Sequence, residues 1–114
     1  MVVWLKKIVI LLFMNTSEIA KSLAELGNET RLDIFRLLIK SEPTGLSVGE
    51  IGERLSLAPS TLAFHLKGLV SADLVRQAKE GRSVICRANL PTITDIIRIL
   101  EHECCVDHKE LLHE

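Results

Sequence analysis

Hydrophobic residues recur at helical spacing in five stretches of the chain, most of them bounded by residues that start or stop helices. Ile19, Leu23 and Leu26 follow Asn15, which stands at capping-box distance from Glu18, and Gly27 ends the run. Asn28 caps the next stretch, where Leu32, Phe35, Leu38 and Ile39 form the predicted buried stripe. Glu42-Pro43-Thr44-Gly45 reads as a turn. Ser47 and Glu50 make a second capping box, followed by Ile51 and Leu55 on one helical face. A break at Ser56-Leu57-Ala58 leads to Pro59, a residue favoured in the first turn of a helix. The helix it opens turns Leu62, Leu66 and Leu69 inward and leaves Ser60, Thr61, Ala63, Phe64, His65 and Lys67 to point elsewhere. Two short helices joined by a tight turn are the pattern of a helix-turn-helix.

Past Ser71-Ala72-Asp73 the pattern changes. Asp73 can close a helix in the left-handed conformation. Leu74 to Ala78 and Ser83 to Ala88 read as strands joined through Lys79-Glu80-Gly81-Arg82, with Gly81 at the bend. A hairpin directly after a recognition helix is a wing. Pro91 starts the last helix, which places Ile93, Ile96, Ile97, Leu100 and Cys104 on one face. The expected fold is mainly α with a small β-hairpin wing, a winged helix-turn-helix.

Length and charge narrow this picture. A chain of 114 residues with 47% hydrophobic residues makes one domain with an ordinary core, small enough for dimerisation to help it bury surface. The net charge of −1 hides an asymmetry. From Arg54 to Arg87 six bases face two acids, whereas from Glu101 to Glu114 five acids face one base. One face can therefore bind phosphate while the tail cannot. Residues 1–14 form an apolar extension in which Lys6-Lys7 interrupts the hydrophobic run, leaving it too short to span a bilayer. Its charged and apolar layout is signal-like, but no small-residue cleavage site follows. Met14 as the natural start is the favoured reading over a helical extension, and residues 15–114 form the winged-helix domain with a C-terminal sensor segment. Three cysteines, two of them adjacent, do not make a secreted disulfide framework and fit a cytoplasmic protein with no membrane partner. No nucleophile motif, phosphate-cradling glycine loop or C-x-x-C pair points to an enzyme.

Three motifs then combine: Leu26-Gly27-Asn28-Glu29-Thr30-Arg31-Leu32, Ser60-Thr61-Leu62-Ala63-Phe64-His65-Leu66-Lys67, and Glu80-Gly81-Arg82. In this order they resemble the ArsR/SmtB family of bacterial metal-responsive repressors, and the similarity runs from about Ser17 to Cys105. The resemblance implies a winged-helix homodimer that binds double-stranded operator DNA and leaves it when an inducer binds. The family's best-known thiol site lies in the first helix of the helix-turn-helix, where this chain has Ser47 and Gly49. A second family site runs along the last helix; aligning Asp95 and His108 to it leaves Ile97 and Leu111 at the other ligand positions. Glu103-Cys104-Cys105 resembles the adjacent cysteine pair of an arsenic-responsive subgroup, although no third cysteine follows. Asp73 stands where the family usually has glycine.

The chemistry follows from these residues. Ser60 and Thr61 can bond base edges or phosphates, Ala63 and Phe64 can touch a thymine methyl, and His65 completes the face that reads the major groove. Packing against a neighbouring helix is the alternative for Phe64, and support of its own turn is the alternative for His65. Lys67 and Arg82 are expected at phosphates or the minor groove. Adjacent thiols at Cys104 and Cys105 can chelate one trivalent, thiol-seeking centre, so arsenic(III) or antimony(III) is the expected inducer. Neighbouring side chains on an ideal helix diverge by about 100°, so chelation is expected to bend or fray the helix end. Cys86, on the second wing strand with Val84 and Ala88, is expected to pack inward, with a role as third ligand the lesser alternative. His102, His108 and His113 are expected to be solvated. Two rival functions remain: a thiol-redox repressor working through the same cysteines, and a winged-helix protein-interaction module that binds no DNA.

Overall fold

The computed structural model describes residues 14–105, so the readings on residues 1–13 and on His108 and His113 lie outside the described residues. Helix α1 spans Thr16–Leu26 and α2 spans Glu29–Lys40. Strand β1 is Leu46–Ser47, α3 is Val48–Leu55 and α4 is Pro59–Ser71. Strands β2 (Val75–Glu80) and β3 (Ser83–Ala88) and helix α5 (Leu90–Glu103) complete the order.

The caps act largely as the sequence predicts. Asn15 Oδ1 accepts from the Glu18 amide at 2.9 Å and Asn28 Oδ1 from the Arg31 amide at 3.1 Å. At Ser47 the capping box closes in both directions, with Glu50 N–H to Ser47 Oγ at 3.1 Å and Ser47 N–H to Glu50 Oε1 at 3.2 Å. Ser56 ends α3 in the left-handed region at φ 53°, and Pro59 opens α4. Leu62, Leu66 and Leu69 are buried, joined in the core by Ile51, Leu74 and Val75.

The stripes of the flanking helices differ from expectation. In α2 the buried residues are Ile34, Phe35 and Leu38, while Leu32 and Ile39 face solvent. In α1 only Ser22 is fully buried and Leu23 is exposed. Helix α5 has two apolar faces rather than one. Ile96 and Ile99 are buried, whereas Ile97 and Leu100 are exposed.

The sheet is antiparallel, in the order β1-β3-β2. Lys79 and Glu80 belong to β2, so the hairpin turn shrinks to Gly81-Arg82. Gly81 takes φ 66° at the first central position, where such turns place glycine. Strand β1 pairs Leu46 with Cys86 and Ser47 with Ile85, which fastens the start of α3 to the wing. Gly45 makes that approach possible: at φ 76°, a Cβ on it would lie 2.6 Å from the Cys86 carbonyl oxygen.

Candidate DNA-reading face and thiol pair

Ser60, Thr61, Ala63, Phe64 and Lys67 all lie on the exposed side of α4, opposite its buried leucines. No side chain caps the start of this helix and no acid occupies its first turn. Its first amides and the Ser60 and Thr61 hydroxyls therefore present donors beside an uncompensated positive dipole end, which suits phosphate. Phe64 is 65% exposed, which rules out the core alternative. His65 differs from its neighbours. It is half-buried, and its Nδ1 accepts a hydrogen bond from Arg31 Nε at 3.2 Å.

Arg31 is the residue that sequence reasoning missed. Its Nη1 lies 3.0 Å from Glu25 Oε2, and its guanidinium carbon lies 5.8 Å from the Phe64 ring centroid. The available signal was its position, since a cation in the first turn of α2 opposes the helix dipole and needs another reason to be there.

Arg82 sits exposed in the wing turn. Arg87, in contrast, is engaged. It bonds Glu80 Oε2 at 2.8 Å and the Pro43 carbonyl at 3.1 Å, and the Glu80 contact raises its already high pKa. Among the described residues, Arg76, Lys79 and Arg82 are the exposed wing bases that pair with no carboxylate.

Reader and wing meet at Asp73, which holds the left-handed conformation at φ 59°. Its carbonyl accepts from Thr92 Oγ1 at 2.7 Å and from Asn89 Nδ2 at 2.8 Å. Two donors from the start of α5 hold a residue where the family usually has glycine.

The cysteines separate into two environments. Cys86 is fully buried in β3 as expected, beneath Gln77, whose Nε2 lies 3.5 Å from its sulfur. Burial pushes its thiol pKa up, with the Gln77 contact opposing in part. Val84, expected to share its inward side, is 39% exposed. Cys104 and Cys105 are both exposed, with their sulfurs 3.0 Å apart. The shared contact with Cys105 raises the Cys104 thiol. This convergence corrects the expectation that chelation must distort a helix. Helix α5 ends at Glu103, Cys104 is extended at φ −58°, ψ 123°, and Cys105 is left-handed at φ 68°, so the backbone has already turned both sulfurs together. Among the described residues, no group of three or more His, Cys, Asp or Glu side chains is placed to hold a metal. Nor is any described helix long and apolar enough to cross a membrane.

Known proteins share the fold. A helix-turn-helix domain family matches residues 26–78, from the end of α1 into β2. The chain is 33% identical over 91 residues to the transcriptional activator HlyU of Vibrio cholerae, covering 80% of this chain and 82% of HlyU. The structure of reduced HlyU aligns with a TM-score of 0.61 at 32% identity over 79% of this chain and 93% of that one. An ArsR-like transcriptional regulator from Rhodococcus sp. RHA1 aligns at 0.74 with 28% identity, over 85% of this chain and 89% of the regulator. On these matches the chain is a DNA-binding transcriptional regulator, and it belongs to the ArsR family of winged helix-turn-helix proteins.

Proposed function

We propose that the protein is a cytoplasmic, homodimeric repressor that binds operator DNA through α4 and the wing and is released by arsenic(III) or antimony(III) at Cys104 and Cys105. The observation that carries the inducer is the pair of exposed sulfurs 3.0 Å apart. Two soft donors already converged suit a soft, thiol-seeking centre, and hydroxide or an external thiol completes its coordination. Cys86, buried in the sheet under Gln77, is left out of the ligand set. DNA contacts are assigned to Ser60, Thr61, Ala63, Phe64, His65 and Lys67 on α4 and to Arg82 on the wing. The dimer seam is assigned to the face of α5 that carries Ile97 and Leu100, both exposed in the single chain and leading toward the thiol pair. Burying such a stripe against a second copy removes apolar surface from water.

The same sulfurs support a second reading, release by oxidation. A disulfide would require them to close to about 2.05 Å between residues whose α-carbons are only about 3.8 Å apart, shorter than the usual disulfide range of about 4.4–6.8 Å. Two bonds to a shared centre ask for less movement, and this favours the metalloid.

The test is a titration of operator-bound protein with arsenite, antimonite, zinc and cadmium, for the wild type and for each cysteine changed to serine. Arsenite and antimonite are expected to release the wild type and Cys86→Ser, but neither Cys104→Ser nor Cys105→Ser. Release by peroxide in metal-free buffer with arsenite inert would establish the redox reading instead, and no binding to any duplex at low salt would leave a protein-interaction module.

A further inference from the structure

The reading helix carries one large exposed apolar ring, Phe64, and that ring is held from behind. Arg31 gathers three groups around itself. Glu25 of α1 pairs with its Nη1 at 3.0 Å, His65 accepts from its Nε at 3.2 Å, and the Phe64 ring lies 5.8 Å from its guanidinium carbon, within cation–π reach. The Phe64 and His65 rings meet edge to face, with centroids 5.5 Å apart and planes at 67°. Glu25 is itself seated against α4 at Gly68, where an added Cβ would stand 3.1 Å from its carboxyl carbon. The Glu25 and Arg31 side chains are each only 20% exposed, so water screens the pair weakly.

We propose that Arg31 is a positioning residue for sequence recognition: held by Glu25, it fixes Phe64 and His65 so that the Phe64 ring is presented as a rigid apolar probe for a thymine methyl in the major groove. The proposal rests on α4 being the DNA reader. A side chain already fixed in its rotamer loses less freedom on binding than a free one, so this support sharpens discrimination as well as affinity. Lysine cannot replace Arg31, because only the planar guanidinium can pair with the Glu25 charge and donate to His65 while lying over a ring. Two of its nitrogens are committed inside the protein, so Arg31 contributes to recognition without neutralising a phosphate. That separates it from Lys67 and Arg82.

Replacing thymine by uracil removes only the methyl group, which makes it the probe. The full-length wild type is first used to select its operator from a random duplex pool. Each thymine of one half-site is then changed to uracil, and binding is measured over a salt series. Wild type is expected to lose about fourfold at one thymine, the share of one methyl group taken out of water. Phe64→Ala, Arg31→Ala and Arg31→Lys are each expected to abolish that discrimination with the salt slope unchanged. Glu25→Gln, which keeps the size of the side chain, is expected to weaken it and serves if Arg31→Ala does not fold. Arg31 variants that keep the wild-type thymine preference would overturn the proposal. So would a salt slope lower by about one per protomer, which would make Arg31 a phosphate contact. Absence of any thymine preference in the wild type would remove Phe64 as the probe. Failure of the wild type to select any duplex would instead remove the DNA-reading assignment beneath it.

Discussion

Arg82→Ala tests both the wing contact and the dimer in one measurement. Arg82 occupies the two-residue turn of the wing, and among the described residues it pairs with no carboxylate, unlike Arg87, which Glu80 holds at 2.8 Å. Its charge is therefore available to a phosphate, and losing it leaves the fold intact. Each phosphate contact contributes about 0.9 to the slope of log affinity against log salt, so a dimer losing one contact per protomer falls by about 1.8. Between 50 and 200 mM salt, the wild type's advantage over the variant then shrinks about twelvefold, whereas a single bound protomer would give only about 3.5-fold. The assay is fluorescence anisotropy on one operator duplex over a salt series. Parallel slopes would remove Arg82 from the phosphate contacts, and a 3.5-fold change would refute simultaneous binding by two wings.

Other positions give independent checks. Gly45→Ala is expected to lower stability by about 2–4 kcal/mol in urea unfolding, since a Cβ at φ 76° meets the Cys86 carbonyl and the Arg87 side chain. Ser47→Ala removes the capping box of α3 and is expected to cost about 1 kcal/mol by the same measurement. Thr92→Val takes a hydrogen bond from the Asp73 carbonyl and an acceptor from Asn89, for an expected loss of about 1–2 kcal/mol. Burial raises the Cys86 pKa in the folded state, so the folded protein binds that proton more tightly than the unfolded chain does. The resulting stability is complete below the unfolded thiol value of about 8.5 and is lost as pH rises through the folded value. Unfolding midpoints followed from neutral to alkaline pH should therefore fall more steeply for wild type than for Cys86→Ala, and identical curves would refute the assignment.

What the sequence disclosed depended on how local the governing interaction was. The span from Ser47 to Leu69 was legible in full, because its caps, its break and its leucine stripe all act within a few residues of each other. The stripes of α1 and α2 were not. On a wheel, Leu32 and Ile39 look as buriable as Ile34, and the choice is made by neighbours distant in sequence. Strand β1 has only two residues and exists because β3 pairs with it, so no local periodicity announces it. Arg31 reaches His65 across 34 positions. The sequence reading places Cys104 on the apolar stripe of the last helix, whereas the helix stops at Glu103 and both cysteines are exposed, since helical spacing says nothing about where the helix stops.

The end of the reading helix is gripped from two directions. From α1, Ser22 Oγ donates to the Ala72 carbonyl at 3.3 Å; from the start of α5, Asn89 N–H bonds the Leu74 carbonyl at 2.8 Å while Thr92 and Asn89 hold Asp73. Helix α5 is thus pinned at its first turn, and Cys104 lies at the opposite end of its 14 residues, about 21 Å away at 1.5 Å per residue. In the proposed mechanism a ligand at the thiol pair acts at the end of this helix far from the joint between reader and wing, and Ile97 and Leu100, exposed between the two, pass its effect to the seam between protomers. In that mechanism the reading helices change their separation rather than their internal structure. A shift that costs DNA binding about 1–3 kcal/mol per inducer is sufficient for release when a dimer binds two.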